Sequence, residues 1–554
     1  MEVLLAADPG GTRLTVLPDA AAPGPAVTGP VVLDAEHLPP AVRTLERERP
    51  RWVWADTAAT YPALLRAGVR LERCHDLRLC HAVLRSAGVL PAVPGSPWDA
   101  AAGPAPESGA ATLFDDVAAT VGTEEVRAEH RRQQLALAGA DGGRLRLLLA
   151  AESAGALVAA EMTHDGLPFD PERHDEMLTA LLGPRPGPGA RPAALESLAG
   201  RVRDLLGAPA LNPDSPADLR HALRGAGLEV RTTRRHELAA LDHPAVGPLL
   251  EYKKRARLLA ANGWTWMEAW VAPADAPGRR GRFRPGYVPG GVVTGRWAAR
   301  GGGALQLPHQ VRGSVVADPG WRLVVADAAQ LEPRVLAAMS RDEAMARASR
   351  AGDLYQALVD EGVAETRAGA KVAMLGALYG ATTGEAGLLM PRLQRTYPRA
   401  VRVVEEAARA GERGGVVRTW LGRTSPAPPP QWHRVQRRAS EGDADETDRR
   451  RAGAVAREWG RFTRNFVVQG SAAEWALAWL ADLRLRLRRI DGGAPHLVFF
   501  LHDEVVVHSP ADAADEVAAA VRAAAAAAGR LLFGDFPVDF ALDVAVVESY
   551  DEAV

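Results

Sequence analysis

The sequence is poor in cysteine, in lysine and in long apolar runs. It has 554 residues and two cysteines. No apolar run reaches the roughly 18 residues that a membrane-spanning helix needs. The first residues, MEVLLAADPGGTR, lack the basic start and the small-residue cleavage site of a secretory signal. We therefore expect a cytoplasmic protein with no membrane span and no membrane partner.

The scarcity of cysteine also bears on metal binding. Cys74 and Cys80 each precede a histidine in the segment CHDLRLCH. This spacing matches no common pattern of zinc ligands. Two reduced, partly buried thiols are the better prediction.

Lysine is nearly absent from the basic residues. Of 66 lysines and arginines, only Lys253, Lys254 and Lys371 are lysine. The excess of alanine, glycine, proline and arginine indicates a GC-rich coding sequence, in which arginine replaces lysine wherever either serves. A lysine kept against this bias is therefore a candidate functional residue.

Acidic residues are missing from one long stretch of the chain. Seven arginines and no acidic residue lie between 279 and 312, and ten basic residues face six acidic ones between 361 and 423. The net charge of −2 does not itself indicate a polyanionic partner. The local clusters of basic residues are compatible with a nucleic-acid partner.

The order of apolar runs and breaks predicts several domains. The length suffices for about three or four domains of ordinary size. Residues 1–150 mix short apolar runs with Pro/Gly-rich breaks, as in a small α/β domain, and residues 151–275 are mainly helical in pattern. A buried strand, WRLVVAD, precedes a further helical region. Residues 425–460 are proline-rich and then charge-dense, which predicts a mobile surface loop.

Two acidic side chains stand at the ends of predicted strands. Asp327 closes WRLVVAD, and Asp503 lies near the tip of a hairpin in HLVFFLHDEVVVHS, between His502 and Glu504. Because neighbouring strand residues point to opposite faces, only one of Asp503 and Glu504 is expected to face a given ion. Aspartates on neighbouring strands can hold a Mg²⁺ pair for phosphoryl transfer. Taken singly, Asp327 is equally well explained as a cap or turn residue, and the triplet as a solvated turn.

Two helical segments repeat residues every four positions. The segment ETRAGAKVAMLGALYG places Arg367, Lys371, Leu375 and Tyr379 on one stripe, since four residues turn a helix by only about 40° beyond a full turn. Basic groups at one end and a ring at the other suit a ligand with a triphosphate and a base. The alternative is a basic edge beside an ordinary core tyrosine. Lys371 favours the ligand, because an ammonium group is a compact charge that can also donate a proton.

A second stripe lies in RFTRNFVVQG. It contains Arg461, Asn465 and Gln469 at the same spacing. The two amides fit either a buried hydrogen-bond network or contacts with the minor-groove edges of a duplex.

These motifs, in this order, resemble DNA polymerase family A, typified by bacterial DNA polymerase I. DAAQLEPR at 327–334 is similar to the first palm motif of the family, RAGAKVAMLGALYG to the fingers helix, and LHDEVVVH to the second palm motif. The segments at 294–308, 419–426 and 464–476, TGRW…LQLP, TWLGRTSP and RNFVVQGSAAEWA, resemble further template and primer contacts. The resemblance covers roughly residues 150–554.

The resemblance implies a multidomain α/β and α+β fold. It is the right-hand polymerase fold, with an antiparallel palm sheet and helical fingers and thumb, preceded by an α/β exonuclease-like domain of RNase H-like type. Residues 1–150 are expected to form the exonuclease-like domain, and residues 151–290 the thumb. The palm is expected to comprise 291–340 and 416–554, and its second part contains the charged, Pro-rich insertion 425–460. Residues 341–415 are expected to form the fingers.

The resemblance also implies an activity and its site residues. The activity is template-directed addition of deoxynucleotides to a primer 3′-hydroxyl, in replication-associated synthesis or repair. The resemblance further implies a nucleoid-associated monomer whose partners are primer–template DNA and dNTPs. Asp327 and Asp503 would hold two Mg²⁺ ions, for which Mn²⁺ can substitute, with Glu504 in the same catalytic group. Lys371 would donate a proton to pyrophosphate. The implied nucleotide-binding residues are Gln330, Glu332, Arg367, Lys371, Leu375 and Tyr379, and the implied DNA-binding residues are Arg296, Gln306, Arg423, Arg461, Asn465, Gln469 and His502.

The sequence departs from the family pattern beside the nucleotide. Leu375 stands where an aromatic residue is usual, and Ala328 and Ala329 stand where Tyr-Ser is usual. Stacking on the sugar is therefore lost, which puts discrimination between deoxy and dideoxy substrates in doubt. The metal and phosphate residues are kept, so we expect activity with altered selectivity or speed.

Residues 1–150 occupy the position of the family's 3′–5′ exonuclease domain, whose chemistry needs four clustered carboxylates. Asp8 has a glycine two residues on instead of a glutamate, and Asp34 and Glu36 stand in a loop context. Cys80 stands where an acidic metal ligand is expected. We expect a degenerate domain that does not proofread, with no 5′-nuclease domain before it.

Two rival functions are a non-catalytic protein that grips primer–template DNA and a two-metal 3′–5′ nuclease. Retention of Asp327, Lys371 and Asp503 argues against the first. The missing carboxylate cluster argues against the second.

Overall fold

A computed structural model describes residues 1–8, 11–17, 30–100, 121–139, 143–300, 303, 307–380 and 384–553. The chain divides into two compact units. Unit 1 comprises Met1–His164, Tyr287–Arg300 and Val324–Val546, and unit 2 comprises Asp165–Gly286, Gly301–Leu323 and Val547–Val554. Within the ranges just given, no helix has both the length and the apolar character needed to cross a membrane.

The N-terminal part of unit 1 is a five-stranded sheet flanked by helices. The strands are β1 (Glu2–Asp8), β2 (Gly11–Leu17), β3 (Val31–Leu33), β4 (Arg51–Trp54) and β5 (Arg73–Asp76), in the spatial order β3-β2-β1-β4-β5. β1 pairs antiparallel with β2 and parallel with β4. The helices are α1 (Leu38–Glu46), α2 (Thr57–Arg66), α3 (Leu77–Ser86), α4 (Pro97–Ala100), α5 (Thr123–Gly139) and α6 (Gly143–Asp165). Buried Trp52, Trp54 and Tyr61 fill its core, which agrees with the α/β pattern of the sequence.

Unit 2 is mainly helical. Its strands β6 (Leu167–Phe169), β7 (Val271–Ala272) and β8 (Gly281–Phe283) form a sheet in the order β6-β8-β7. Its helices are α7 (Pro171–Leu182), α8 (Ala193–Leu206), α9 (Pro216–Gly225), α10 (Arg235–Ala239), α11 (Val246–Asn262), α12 (Trp264–Trp270) and α13 (His309–Arg312). Helices α11 and α12 meet at Gly263, whose extended backbone ends α11.

A four-stranded sheet in unit 1 contains the predicted hairpin. It consists of β11 (Trp321–Ala328), β12 (His496–Leu501), β13 (Glu504–Pro510) and β14 (Leu542–Val547), in the order β12-β13-β11-β14. β12 and β13 are antiparallel, and Leu501 pairs with Glu504 across a two-residue turn. A separate two-stranded sheet consists of β9 (Gly286–Val288) and β10 (Ala298–Arg300).

Nine helices described in unit 1 follow β11. They are α14 (Leu331–Ser340), α15 (Glu343–Arg350), α16 (Leu354–Asp360), α17 (Arg367–Tyr379), α18 (Gly384–Thr396), α19 (Pro398–Glu412), α20 (Pro430–Ser440), α21 (Glu446–Leu487) and α22 (Ala514–Phe533). A core that includes Leu336, Met345, Met374, Leu393 and Val404 joins α14 to α19.

The prediction of a mobile loop over 425–460 is wrong. The segment contains all of α20 and the first turns of α21. Pro430 starts α20 at a position where a helix needs no backbone donor, and Trp432 is buried. Arg438 pairs with Glu441, Asp443 and Asp448. The charged side chains of this segment are thus opposite in sign and lie close together, so they stabilise a pair of helices instead of being solvated in a loop.

Candidate active site

Nine of the predicted site residues line one cavity of 750 Å³ in unit 1. They come from separate stretches of the chain: the β9–β10 segment, the start of α14, the exposed face of α17 and the turn between β12 and β13. These residues are Arg296, Gln330, Glu332, Arg367, Lys371, Leu375, Tyr379, His502 and Asp503.

Asp327 and Asp503 lie side by side at the sheet. The amide of Ala328, the residue after Asp327, donates to the carbonyl oxygen of Asp503 at 2.8 Å. His502 has a φ of 58°, in the left-handed region, and this conformation makes the tight turn that exposes Asp503 to the cavity. Both aspartates are half-buried. Glu504 is buried at the start of β13, so of the two adjacent carboxylates Asp503 is the one that lines the cavity.

The electrostatics around Asp503 disfavour an unneutralised carboxylate. Burial, reinforced by the nearby Glu332 and Glu504, raises the pKa of Asp503 to about 6, although Arg296 acts in the opposite direction. Burial, and then Arg296, lowers the pKa of His502. A site that opposes negative charge and offers carboxylate oxygens has the donor chemistry that suits Mg²⁺.

The donor set near Asp503 is incomplete for a cation held by protein alone. In the described ranges no three His, Cys, Asp or Glu side chains converge as a metal-binding group. Mg²⁺ is commonly bound by one or two carboxylates together with water and substrate phosphates. Asp327 and Asp503 fit that kind of shared site.

The α17 stripe faces the cavity because the opposite side of the helix is apolar. Ala370, Met374 and Ala377 on that side are buried in the core, whereas Arg367 and Lys371 are exposed. Thr366 caps the helix by accepting a hydrogen bond from Gly369 N at 3.1 Å. The cavity therefore has basic groups at one end of α17, while Leu375 and Tyr379 lie further along it.

Glu332 is held between two other predicted residues. The Tyr379 hydroxyl donates to Glu332 Oε2 at 2.5 Å, and the Arg296 guanidinium pairs with Oε1. Burial, and then this carboxylate, raises the pKa of Tyr379. Gln330 has a φ of 56° at the start of α14, and its side-chain amide donates to Asp353 Oδ1 at 2.7 Å. These bonds fix Glu332 relative to Tyr379 and Arg296, and Gln330 relative to Asp353.

The remaining predicted residues that the structure describes do not line the cavity, and they are Asp327, Arg423, Arg461, Asn465, Gln469 and Glu504. Arg461 is exposed, and Asn465 and Gln469 are half-buried on α21. A buried ion pair joins Arg423 to Glu152 of α6, so the expected contact of Arg423 with DNA would require this pair to open. Gln306 lies outside the described residues.

Sequence reasoning missed several residues that line the cavity, among them Trp297, Asp353, Tyr355 and Asp543. Asp353 caps α16, accepting from the amides of Tyr355 and Gln356, and its ion pair with Arg367 is 2.5 Å long. An aspartate directly before the apolar run LYQALV is a recognisable capping signal. Trp297 packs on Phe500, with ring centroids 4.9 Å apart.

The acidic residues of the N-terminal sheet are engaged with neighbours. Asp8 pairs with Arg13 at 2.6 Å, and Asp34 accepts from His37. Cys80 is fully buried, and burial raises the pKa of its thiol. It is therefore an inert core residue rather than a reactive thiolate.

Several known proteins are similar to this chain in sequence. The model of DNA polymerase family A matches residues 192–552. The thermostable DNA polymerase I of Thermus filiformis is 28% identical over 347 residues, which cover 57% of this chain and 37% of the relative. DNA polymerase I of Chloroflexus aurantiacus is 27% identical over 356 residues, or 60% of this chain and 34% of the relative. The matched regions thus span little more than a third of these relatives.

A solved structure has the same fold. The POL domain of Pol1 from M. smegmatis, in complex with DNA primer-template and dNTP, superposes with a TM-score of 0.71 at 18% identity, covering 100% of this chain and 96% of that one. This similarity confirms the expected fold class. Since the family model matches well over half of the residues, the chain belongs to DNA polymerase family A.

Proposed function

We propose that the chain is a template-directed DNA polymerase that adds deoxynucleotides to a primer 3′-hydroxyl by two-metal phosphoryl transfer. The observation that carries this proposal is the convergence of nine predicted residues on one cavity, with Asp327 beside Asp503. Enzymes of this family are generally dependent on Mg²⁺. The partners named for the structural relative, primer-template and dNTP, are the partners proposed here.

In this proposal Asp327 and Asp503 hold the metal ions. Bound Mg²⁺ would lower the pKa of the primer hydroxyl and neutralise the leaving pyrophosphate. The elevated pKa of Asp503 supports this role, because a carboxylate that is largely buried and lies near Glu332 and Glu504 is stabilised in its ionised form by a bound cation. Glu504 adds to the negative charge at the turn.

Arg367 and Lys371 bind the triphosphate in this proposal. They are exposed at the N-terminal end of α17, and twelve residues of helix, about 18 Å, separate Arg367 from Tyr379. Lys371 can also donate a proton to pyrophosphate. Tyr379 then lies towards the templating base.

Glu332 is the proposed block against a 2′-hydroxyl. Arg296 and Tyr379 clamp its carboxylate, so it cannot swing away from a ribonucleotide. Gln330 lies beside it near the incoming sugar. Leu375 provides apolar contact without ring stacking, which supports altered sugar selectivity.

The remaining predicted residues are assigned to primer and template. Arg461, Asn465 and Gln469 form one face of α21, and the side-chain oxygen of Asn465 is buried without a hydrogen-bond partner in the described part of the chain. An unsatisfied buried acceptor is costly, and a bound base edge would satisfy it. His502 lies at the hairpin turn, where a primer end would approach Asp503.

Primer extension tests the proposal. We expect wild type to extend a labelled primer with Mg²⁺ and dNTPs, and Asp503→Ala to lose at least about 10³-fold in rate, because a metal ligand contributes several kcal/mol to the transition state. Asp512→Ala is the control, since Asp512 is an exposed aspartate away from the cavity. Equally little extension by wild type and Asp503→Ala, with DNA still bound, would favour the non-catalytic protein. Shortened primers would favour the nuclease.

We also propose that the N-terminal sheet domain does not proofread. The ion pair of Asp8, the contact of Asp34 with His37 and the burial of Cys80 support this. A primer with a 3′ mismatch should keep its length when incubated with Mg²⁺ and no dNTPs. Removal of the mismatched nucleotide by wild type would contradict the proposal.

A further inference from the structure

Helix α21 extends far beyond the site that it helps to build. It runs without a break for 42 residues, from Glu446 to Leu487. Its second half is mostly buried, whereas its first turns carry the exposed Arg450, Arg451 and Arg457. None of these three arginines lines the cavity described above.

These arginines continue the face that carries the proposed DNA-binding residues. At 100° per residue, Arg450, Arg451 and Arg457 fall within the same arc of about 120° as Arg461, Asn465 and Gln469. We call Arg450, Arg451, Arg457 and Arg461 the α21 arginine face. From Arg461 to Arg450 it extends eleven residues, or about 17 Å.

Neighbouring helices cover the other side of α21. The Thr463 hydroxyl donates to Ala407 O of α19 at 2.8 Å, and the Gln436 amide of α20 donates to Ala452 O at 2.9 Å. Thr463 and Ala452 lie more than 90° from the arc. Packing therefore leaves the α21 arginine face open.

The face is rich in uncompensated charge. Among the residues that the structure describes, Arg451 and Arg457 have no acidic side chain within 4.0 Å of their guanidinium groups. Arg450 pairs with Glu446 at 3.0 Å, but both side chains are mostly exposed, so the pair is weak. Along α21 from Arg450 to Gln469, Glu458 is the acidic residue whose side chain lies within the same arc around the helix. Such a stripe suits a polyanion.

The position of Arg461 gives the stripe a direction. A side chain at Gly380 would meet Arg461 Cγ at 2.9 Å, so Arg461 packs against the C-terminal end of α17. The proposed triphosphate-binding residue Arg367 is at the other end, about 20 Å away along the helix. The stripe thus begins beside the C-terminal end of α17, on the proposed templating side, and continues along α21 away from Ala472, Ala473 and Leu477, which line the cavity.

We propose that Arg450, Arg451 and Arg457 bind the phosphate backbone of the single-stranded template ahead of the cavity. This inference rests on the proposed polymerase function and extends its DNA-binding surface. With about 3.4 Å per phosphate in a stacked strand, the α21 arginine face accommodates up to about five phosphates. The contacts involve phosphate alone, so binding is independent of template sequence.

The test compares two double variants. Arg451→Ala/Arg457→Ala removes two charges from the face. Arg434→Ala/Arg437→Ala removes two charges from α20, where both arginines are exposed and the structure shows no acidic partner among the residues it describes. Binding is measured by fluorescence anisotropy on primer–templates of one duplex length, with a 5′ template overhang of either one or eight nucleotides, at several salt concentrations.

We expect the α21 double variant to bind the eight-nucleotide overhang about tenfold more weakly at low salt, with a salt slope smaller by about 1.4. Its affinity for the one-nucleotide overhang should equal that of wild type, and the α20 double variant should match wild type on both. Equal losses on both overhangs, or equal losses in the two variants, would overturn the inference.

Single-nucleotide addition on the short overhang separates this inference from the polymerase proposal. There the α21 double variant should extend at the wild-type rate, which also shows that it is folded. Failure of wild type to extend any primer would contradict the polymerase function instead. If the α21 double variant extends primers normally and binds the eight-nucleotide overhang as tightly as wild type does, the α21 inference is wrong and the polymerase proposal still stands.

Discussion

Arg367 at the start of α17 and Asp353 at the start of α16 form an ion pair, with Nε and Oδ2 2.5 Å apart. Gln330 donates to the other oxygen of the same carboxylate. The guanidinium proposed to bind a triphosphate therefore contacts a carboxylate of the chain itself. An incoming nucleotide must compete with Asp353 for Arg367.

Replacing Asp353 by asparagine should strengthen nucleotide binding. Asparagine keeps the capping of α16 but removes the negative charge that competes for Arg367 and repels phosphate. Both partners are partly exposed, so the pair is weak, and we expect KM for dNTPs to fall by no more than about fivefold with kcat little changed. Asp360→Asn, an exposed carboxylate on the same helix, is the control. An unchanged or higher KM in Asp353→Asn would show that Asp353 does not compete.

A second prediction concerns a buried ion pair that joins α21 to the N-terminal sheet domain. Arg484 donates to both oxygens of Glu161 at 2.7 Å, and the Tyr61 hydroxyl donates to Glu161 at 2.6 Å. Burial acts to raise the pKa of Glu161, but Arg484 outweighs it and holds this pKa at about 2. Arg484→Met should lower the free energy of unfolding by up to about 3–5 kcal/mol, because it removes the bidentate partner of a buried carboxylate and leaves Glu161 only the longer ion pair with Arg488 at 3.1 Å.

Chemical denaturation measures this loss. Arg486→Met is the matched control two residues further along α21, where an exposed pair with Asp482 should contribute less than about 1 kcal/mol. Similar losses in both variants would show that helix propensity or packing, and not the buried pair, causes the effect.

The third prediction is a pH dependence of stability. Glu474 on α21 is buried, and burial raises its pKa from 4.5 to about 7 despite hydrogen bonds from Thr419 and from Leu421 N. Between these values the folded chain keeps a proton that the unfolded chain releases, so stability is lost as pH rises through 7. Glu474→Gln cannot titrate, and from pH 4.5 to 8 it should gain up to about 3 kcal/mol relative to wild type.

Thermal unfolding of wild type and Glu474→Gln across this pH range provides the measurement. Glu458→Gln, at an exposed position of the same helix, should show the pH profile of wild type. A constant difference between wild type and Glu474→Gln at all pH values would mean that Glu474 stays ionised in the folded chain.

The fourth prediction explains the glycine that follows Tyr379. Gly380 has a φ of 71°, and a Cβ atom there would lie 2.9 Å from Arg461 Cγ. Gly362 has the same φ but nothing within 4 Å. Gly362→Ala should cost about 1 kcal/mol for the left-handed backbone alone, whereas Gly380→Ala should cost more and weaken DNA binding by displacing Arg461. Equal effects on stability and on DNA affinity would show that the contact with Arg461 is unimportant.

The sequence predicted the parts of the site that repeat within one element. The spacing of Arg367, Lys371, Leu375 and Tyr379 follows from helix geometry alone, and the structure shows that face lining the cavity. The hairpin around Asp503 followed from two apolar runs separated by a polar turn. Residues 425–460 were mispredicted because their charges suggested solvation, and the pairing of Arg438 across α20 and α21 depends on contacts that no local pattern reveals.

Other features depended on distant parts of the chain. The ion pairs of Arg423 with Glu152 and of Arg484 with Glu161 join residues 271 and 323 positions apart, and nothing in the local sequence distinguishes these arginines from surface ones. Asp353 carried a capping signal, but its contact with Arg367 required α16 and α17 to pack together.

By itself, the sequence determined which side chains share a helix face or a turn, because backbone geometry fixes those periods over a few residues. Only the tertiary structure decided which of these faces meet around one cavity and which arginines are buried in ion pairs. Such contacts depend on the folded path of the chain between distant residues, which local spacing does not encode.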